Sequence, residues 1–217
     1  MTAPPSTASR TNSTWHRWRC TCCSATSKPS GSSRAHLPAT GPPITARHCA
    51  PTPTPTTAVG GGHGTLLATI LAAHPRVRGH LIDLEPTATE AVGTFVAHRV
   101  RDRVRVSAQS FFDPLPAGAQ AYLLCDILHD WDDEHAHRIL ARCVEALGPG
   151  GRVLVVEPVG GRRANTEFDL AMLVIFAGRE RRVEEFRALA AAHGLVLDAV
   201  VDLTDQRCLL EFRAADT

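Results

Sequence analysis

The first 57 residues contain no aspartate or glutamate, although they carry six lysines and arginines. Nowhere does the chain approach the ~18 to 20 consecutive apolar residues of a membrane span. No apolar segment follows the N-terminal charges as a secretion signal would. A soluble cytoplasmic protein is therefore the expectation. Six charges spread over the whole head make no dense basic patch, so neither nucleic acid nor a membrane surface is an expected partner. Also missing is the Gly-Lys-Ser/Thr end of a phosphate-binding loop, which argues against a nucleoside triphosphate.

The head is dominated by Ser, Thr, Pro and Arg and ends in Pro51-Thr-Pro-Thr-Pro55. It lacks apolar periodicity and cannot bury enough surface to offset its chain entropy, so residues 1–57 are expected to be a disordered linker or a non-native start. Cys20, Cys22, Cys23 and Cys49 lie there with His36 and His48, at spacings that match no familiar zinc-ligand pattern. No metal is expected.

The body of the chain is different material. Residues 58–217 hold 17 of the 23 basic residues and all 22 acidic ones. With 44% hydrophobic residues, the 217-residue chain has room for one α/β domain and something smaller. Cys125, Cys143 and Cys208 sit in apolar surroundings and read as small core residues in a reducing compartment.

The stretch from Val59 to Asp83 organises this body. Gly60, Gly62 and Gly64, a helix-patterned apolar run from Leu66 to Ala73, and His80-Leu-Ile-Asp83 form a β-loop-α-β-acid unit. Glycine allows positive φ and the close approach of a ligand to the main chain, while an acid about 20 residues on can accept both ribose hydroxyls. A dinucleotide fingerprint would need a third glycine where Thr65 stands, which disfavours a nicotinamide-dependent oxidoreductase. Tight G-x-G-x-G suits a nucleoside without a pyrophosphate, and S-adenosylmethionine is one.

Apolar patterning predicts strands over Thr57 to Gly60, His80 to Leu84, Arg103 to Ala108, Ala121 to Ile127 and Arg152 to Glu157. Helices are predicted over Gly64 to His74, Pro86 to Arg99, Asp132 to Leu147, Phe168 to Phe176 and Val183 to His193. Leu195 to Leu203 and Arg207 to Arg213 close the chain as two successive strands. The pattern predicts an α/β fold, a doubly wound Rossmann-like sheet with an antiparallel strand pair at one edge.

At the carboxyl end of the Ala121 strand stands Leu128-His-Asp-Trp-Asp-Asp133. Ligands of open α/β sheets lie outside the carboxyl ends of the strands, so His129 should face the crevice that holds Gly60 to Gly64. Asp132 and Asp133 read best as the N-cap and first turn of the next helix. Trp131 is either a stacking surface for an adenine or a lid over the core.

Gly60-Gly-Gly-His-Gly64, His129-Asp-Trp-Asp-Asp133 and Gly178-Arg-Glu-Arg181, in this order, resemble the catalytic domain of S-adenosylmethionine-dependent O-methyltransferases. The subgroup is the plant caffeate/acetylserotonin type and its bacterial relatives that methylate phenolic polyketides. The resemblance runs from about Ala58 to Phe212 and implies a class I methyltransferase sheet in residues 58–217. It further implies that Gly60, Gly62, Gly64 and Asp83 hold S-adenosylmethionine, with Ser110 and Phe111 on the adenine side and Cys125 beside the cofactor. His129 takes the place of the general base, Glu157 and Glu180 those of its flanking acids, and Asp169 and Met172 fall where the acceptor pocket is shaped. The implied acceptor is a small phenol of secondary metabolism.

The chain departs from the family at Ala58, where an acid is usual, and at Ser110, where Asp is common. Family members are homodimers through a long helical N-terminal domain. Residues 1–57 are too short and polar to replace it, and the abrupt change at Thr57-Ala58 suggests a truncated or frame-disrupted product. The alternative function is accordingly an impaired member that only binds cofactor or a partner. Related folds can also turn such a site toward hydroxylation or decarboxylation, against which the retained His129 argues.

Overall fold

A computed structural model describes residues 54–161 and 178–215. The head up to residue 53, and the predicted helix over 168–176 with Asp169 and Met172, lie outside the described residues. Seven strands form one sheet: β1 (Thr54–Val59), β2 (Val77–Asp83), β3 (Val104–Ala108), β4 (Ala121–Cys125), β5 (Arg152–Glu157), β6 (Leu195–Asp202) and β7 (Cys208–Ala214). Their order is β3-β2-β1-β4-β5-β7-β6. β1 to β5 are parallel, whereas β7 runs antiparallel to both β5 and β6. Among the described residues the connections carry four α-helices: α1 (Thr65–Ala73), α2 (Thr87–Ala97), α3 (Asp133–Ala146) and α4 (Val183–Ala191). The doubly wound sheet and its terminal antiparallel pair agree with the sequence pattern.

Alternation along the strands loads both faces. Leu81 of β2 packs with Leu67 and Leu71 of α1 and Phe95 of α2. Its neighbour Ile82 belongs to the opposite layer, with Tyr122 and Leu124 of β4, Ile139 and Cys143 of α3 and Phe186 of α4. Fully burying such side chains contributes about 1.5–3 kcal/mol each. The Tyr122 hydroxyl crosses this layer and lies within hydrogen-bonding distance of the carbonyls of Pro116 and Ala146, at 2.6 and 2.9 Å, between which its one proton is shared. Cys143 is buried, and burial pushes its thiol up to about 12, so it packs as a neutral apolar group.

Three strand boundaries differ from those predicted by two residues or more. β1 begins at Thr54, inside the segment that composition assigned to the head. Pro55 is accommodated because the β1–β4 ladder starts only at Thr56, so no ladder bond to that side is lost. β2 begins at Val77, with Gly79 where a Cβ would lie 3.0 Å from Leu71 of α1. β4 stops at Cys125 because Asp126 turns to φ 54°, which no strand continues through.

β1 and β4 are neighbours, and their chain connections leave in opposite directions across the sheet. This is the topological switch point, where the carboxyl ends of the strands open a crevice. Among the described residues, no helix is long and apolar enough to cross a membrane.

Candidate active site

The loop after β1 takes its shape from glycine. Gly60, Gly62 and Gly64 have φ of 64°, 56° and 79°, the left-handed region that side chains disfavour. A Cβ at Gly60 would collide with the Ile127 side chain, and one at Gly64 with the Phe95 ring. At Gly62 the same position meets nothing within 4 Å. The backbone there faces open space, as a ligand-binding loop requires.

Asp83 closes the other side of this loop. Its Oδ2 accepts the Gly62 N–H at 2.7 Å and its Oδ1 accepts the Leu84 N–H at 2.8 Å. Parallel pairing of Val59 with Ile82 makes that contact possible, and the Ile82 carbonyl accepts from Gly60 and Gly61 at 2.9 and 3.2 Å. Each carboxylate oxygen keeps a lone pair for a ribose hydroxyl. Glycine loop and acid thus form one hydrogen-bonded unit at the ends of β1 and β2, and His63 braces its outer edge on Glu90 at 3.1 Å.

The loop after β3 lies beside it, with the Gln109 N–H donating to the Asp83 carbonyl at 2.9 Å. Ser110 shapes that loop, its Oγ accepting the Phe112 N–H at 3.1 Å. Phe111 reaches the Gly60 backbone and stands edge-on to Trp131, ring centroids 6.0 Å apart, while Phe112 meets the same indole at 4.9 Å. Trp131 therefore belongs to an aromatic wall that joins the β3 and β4 loops. Cys125 packs in a different cluster with Leu123, Val156 and Leu209, separate from these aromatics. Burial first, then the Asp126 charge, pushes its thiol up to about 12.

His129 sits in a 3-10 turn, Leu128–Asp130, just past β4. Only 4% of the residue is exposed. Because a Cβ at Gly60 would meet the Ile127 side chain, the glycine loop packs beside the segment that leads into the histidine turn. An acid set against the imidazole is Asp130, whose Oδ1 lies 3.4 Å from Nε2. Burial raises Asp130 above the usual carboxylate range, and the His129 imidazole opposes that rise.

Glu157, at the end of β5, is fully buried beneath the turn. Its Oε1 accepts the N–H groups of Ile127 and Leu128 at 3.1 and 2.5 Å. Burial pushes this carboxyl up to about 8, against the lowering effect of those two hydrogen bonds and of Arg181. Glu180 is also buried, on the segment whose Gly178 packs so closely on the His129 carbonyl that a Cβ would overlap it. Over this segment opens a cavity of about 770 Å³ lined by Arg179, Glu180, Arg182, Glu184 and Glu185. Asp132 caps α3, accepting the His135 N–H at 2.9 Å.

Two side chains of the site carried no role in the sequence reading. Asp130 was visible only as a member of the HDWDD motif, and Arg181 only as the end of Gly-Arg-Glu-Arg. Neither type nor spacing announces a buried guanidinium. Among the described residues, no three His, Cys, Asp or Glu side chains gather as metal ligands would.

Residues 54–196 match the O-methyltransferase domain family. The chain belongs to that family. Among curated relatives, the 2,7-dihydroxy-5-methyl-1-naphthoate 7-O-methyltransferase of Streptomyces carzinostaticus is 49% identical over 142 residues, 65% of this chain and 43% of that protein. Aclacinomycin 10-hydroxylase RdmB of Streptomyces purpurascens is 43% identical over 145 residues, 64% of this chain and 39% of that protein. An O-methyltransferase from neocarzinostatin biosynthesis, solved with S-adenosylmethionine and 2-hydroxy-5-methyl naphthoic acid, superposes with a TM-score of 0.71 at 44% identity, covering 75% of this chain and 49% of that one. The chain thus spans less than half the length of these relatives. What it contains is an O-methyltransferase domain, and the neocarzinostatin enzyme that it resembles holds S-adenosylmethionine.

Proposed function

We propose that this O-methyltransferase domain transfers a methyl group to a phenolic hydroxyl of a small aromatic secondary metabolite, with His129 as general base. The observation that carries the reading is the contact of Gly60 with Ile127, two residues before His129, beside an Asp83 carboxylate already turned into the glycine loop. Gly60, Gly62 and Gly64 would follow the methionine portion of S-adenosylmethionine, Asp83 would take the ribose hydroxyls, and Ser110, Phe111 and Trp131 would line the remainder. Bound there, the cofactor supplies a methyl carbon already activated by its sulfonium.

The protein's own work is then to place an acceptor oxygen about 3 to 3.5 Å from that carbon and to remove its proton. A neutral imidazole can accept the proton of a phenol as the transfer proceeds. Asp130, 3.4 Å from Nε2, favours the imidazolium that results. Glu157 holds the backbone of the turn, and Glu180 backs it from the neighbouring segment. The acceptor we propose is an aromatic bearing a hydroxyl, as in the naphthoate named for the Streptomyces relative, and the resemblance gives the shaping of its pocket to Asp169 and Met172. We assign the chain from Thr54 onward to this catalytic unit, four residues earlier than composition put its start, and the family's homodimer to an additional helical domain.

Calorimetric titration with S-adenosylhomocysteine tests this cofactor reading, and the absence of heat at millimolar ligand would defeat it. His129→Ala should lower turnover of a hydroxynaphthoate about 10²–10⁴-fold while leaving that affinity unchanged. Equal turnover in the variant removes His129 as base. The hydroxylase among the relatives favours a second reading, oxygenation in the same cleft, because fold does not fix chemistry. Mass spectrometry of the product separates the two, since a methylated and an oxygenated acceptor differ in mass.

A further inference from the structure

The turn that carries His129 is bound from both sides of its backbone, and only the Glu157 side enters the catalytic proposal. Glu157 accepts its N–H groups from below. Its carbonyls go to Arg181. This guanidinium is 1% exposed. Its Nη1 donates to the Leu128 carbonyl at 2.6 Å, and its Nη2 donates to the Trp131 carbonyl at 2.9 Å. The two carbonyls flank His129 and Asp130, so one planar group spans the turn from its first residue to the residue after its last.

The fork is itself aimed. Asp133 Oδ1 accepts Nε at 3.1 Å and Nη2 at 2.8 Å. Asp133 Oδ2 accepts Arg179 Nη2 at 3.1 Å, and Arg179 is tied on to Glu185 of α4. Partial burial works to raise Asp133, but the hydrogen bonds from Arg181 and Arg179 hold it below the usual range, so it stays ionised. A buried guanidinium with fewer partners would be costly, because every N–H removed from water must be satisfied. Here the compensation is concentrated on a single short turn. Lysine has no planar fork and would reach one carbonyl at a time.

We infer that Arg181, aimed by Asp133, is the positioning residue that fixes the His129 turn, so that imidazole orientation depends on a guanidinium that touches neither cofactor nor acceptor. The inference rests on the reading of His129 as base. An error of about 1 Å in a reacting group costs on the order of a hundredfold in rate, which is the scale on which a loosened turn would register.

The test uses the full chain, with Arg181→Lys as the principal variant and Asp133→Asn, at a half-exposed position, as the milder one. Three quantities are read: the His129 ring resonances and their titration by NMR, amide exchange at Asp130 and Trp131, and affinity for S-adenosylhomocysteine. In both variants the His129 resonances and titration should move, and Trp131 amide exchange should quicken by on the order of tenfold. Exchange in β1 and β2 and the affinity should stay at wild-type values. With a hydroxynaphthoate acceptor, kcat should fall while KM for S-adenosylmethionine holds. Unchanged His129 resonances with unchanged exchange at the turn overturn the inference, as does loosening spread evenly through the sheet. Should Arg181→Lys fail to fold, Asp133→Asn alone decides by the same criteria. Failure of wild-type protein to bind S-adenosylhomocysteine overturns the cofactor reading instead, leaving the NMR and exchange results to decide the clamp.

Discussion

Replacing Glu157 by glutamine should change how stability depends on pH more than it changes stability at any one pH. Burial raises this carboxyl from 4.5 to about 8. Between those values the folded protein holds a proton that the unfolded chain has released, so stability is lost as pH rises through the window and the loss is complete above about 8. One pKa unit corresponds to about 1.4 kcal/mol, which makes the cost at pH 7 about 3 kcal/mol and the change from pH 5 to pH 8 about 4 kcal/mol.

Glutamine keeps an acceptor oxygen for the N–H groups of Ile127 and Leu128 but has no charge to bury. Its amide leaves donors to be satisfied where Glu157 Oε2 has no hydrogen-bond partner among the described residues, a cost that does not vary with pH. Thermal melts of both proteins from pH 5 to pH 8, in buffers of matched ionic strength, isolate the difference, since every other titrating group is shared. The midpoint of the variant should rise relative to wild type by on the order of 10 °C across that range. A difference that stays flat, or that moves in favour of wild type at high pH, would refute the reasoning. It would mean that Arg181 and the two backbone donors keep Glu157 ionised in the folded protein.

Asp83→Asn should weaken S-adenosylhomocysteine binding by about one to two orders of magnitude, because a ribose hydroxyl loses a charged acceptor, with little change in the melting midpoint; isothermal titration measures it. Gly60→Ala should cost about 1–3 kcal/mol in urea unfolding, through its φ of 64° and the collision with Ile127, and should also displace the turn that carries His129.

The parallel sheet was legible in the chain because its causes are local. Apolar runs such as Ala121 to Cys125 can be satisfied only in a sheet covered on both faces, and the glycines at 60, 62 and 64 permit a loop that few other residues could make. Asp132 at the start of α3 announced itself as a cap for the same reason. Boundaries were less legible where a neighbour decides them. Pro55 reads as a linker until β4 is known to pair only from Thr56, and Gly79 reads as a break until α1 is found resting on it.

The sequence by itself determined the order of the elements, the nucleoside-shaped loop and the family to which they belong. Only the tertiary structure decided what holds the histidine. Asp130, Glu157 and Arg181 are separated by as many as 51 positions, and no propensity or spacing links them. The buried guanidinium is stable only because the carbonyls of Leu128 and Trp131 and the carboxylate of Asp133 are already in place around it. Those partners are assembled by packing across the sheet, and the cost of leaving any of them unpaired is what fixes the arrangement.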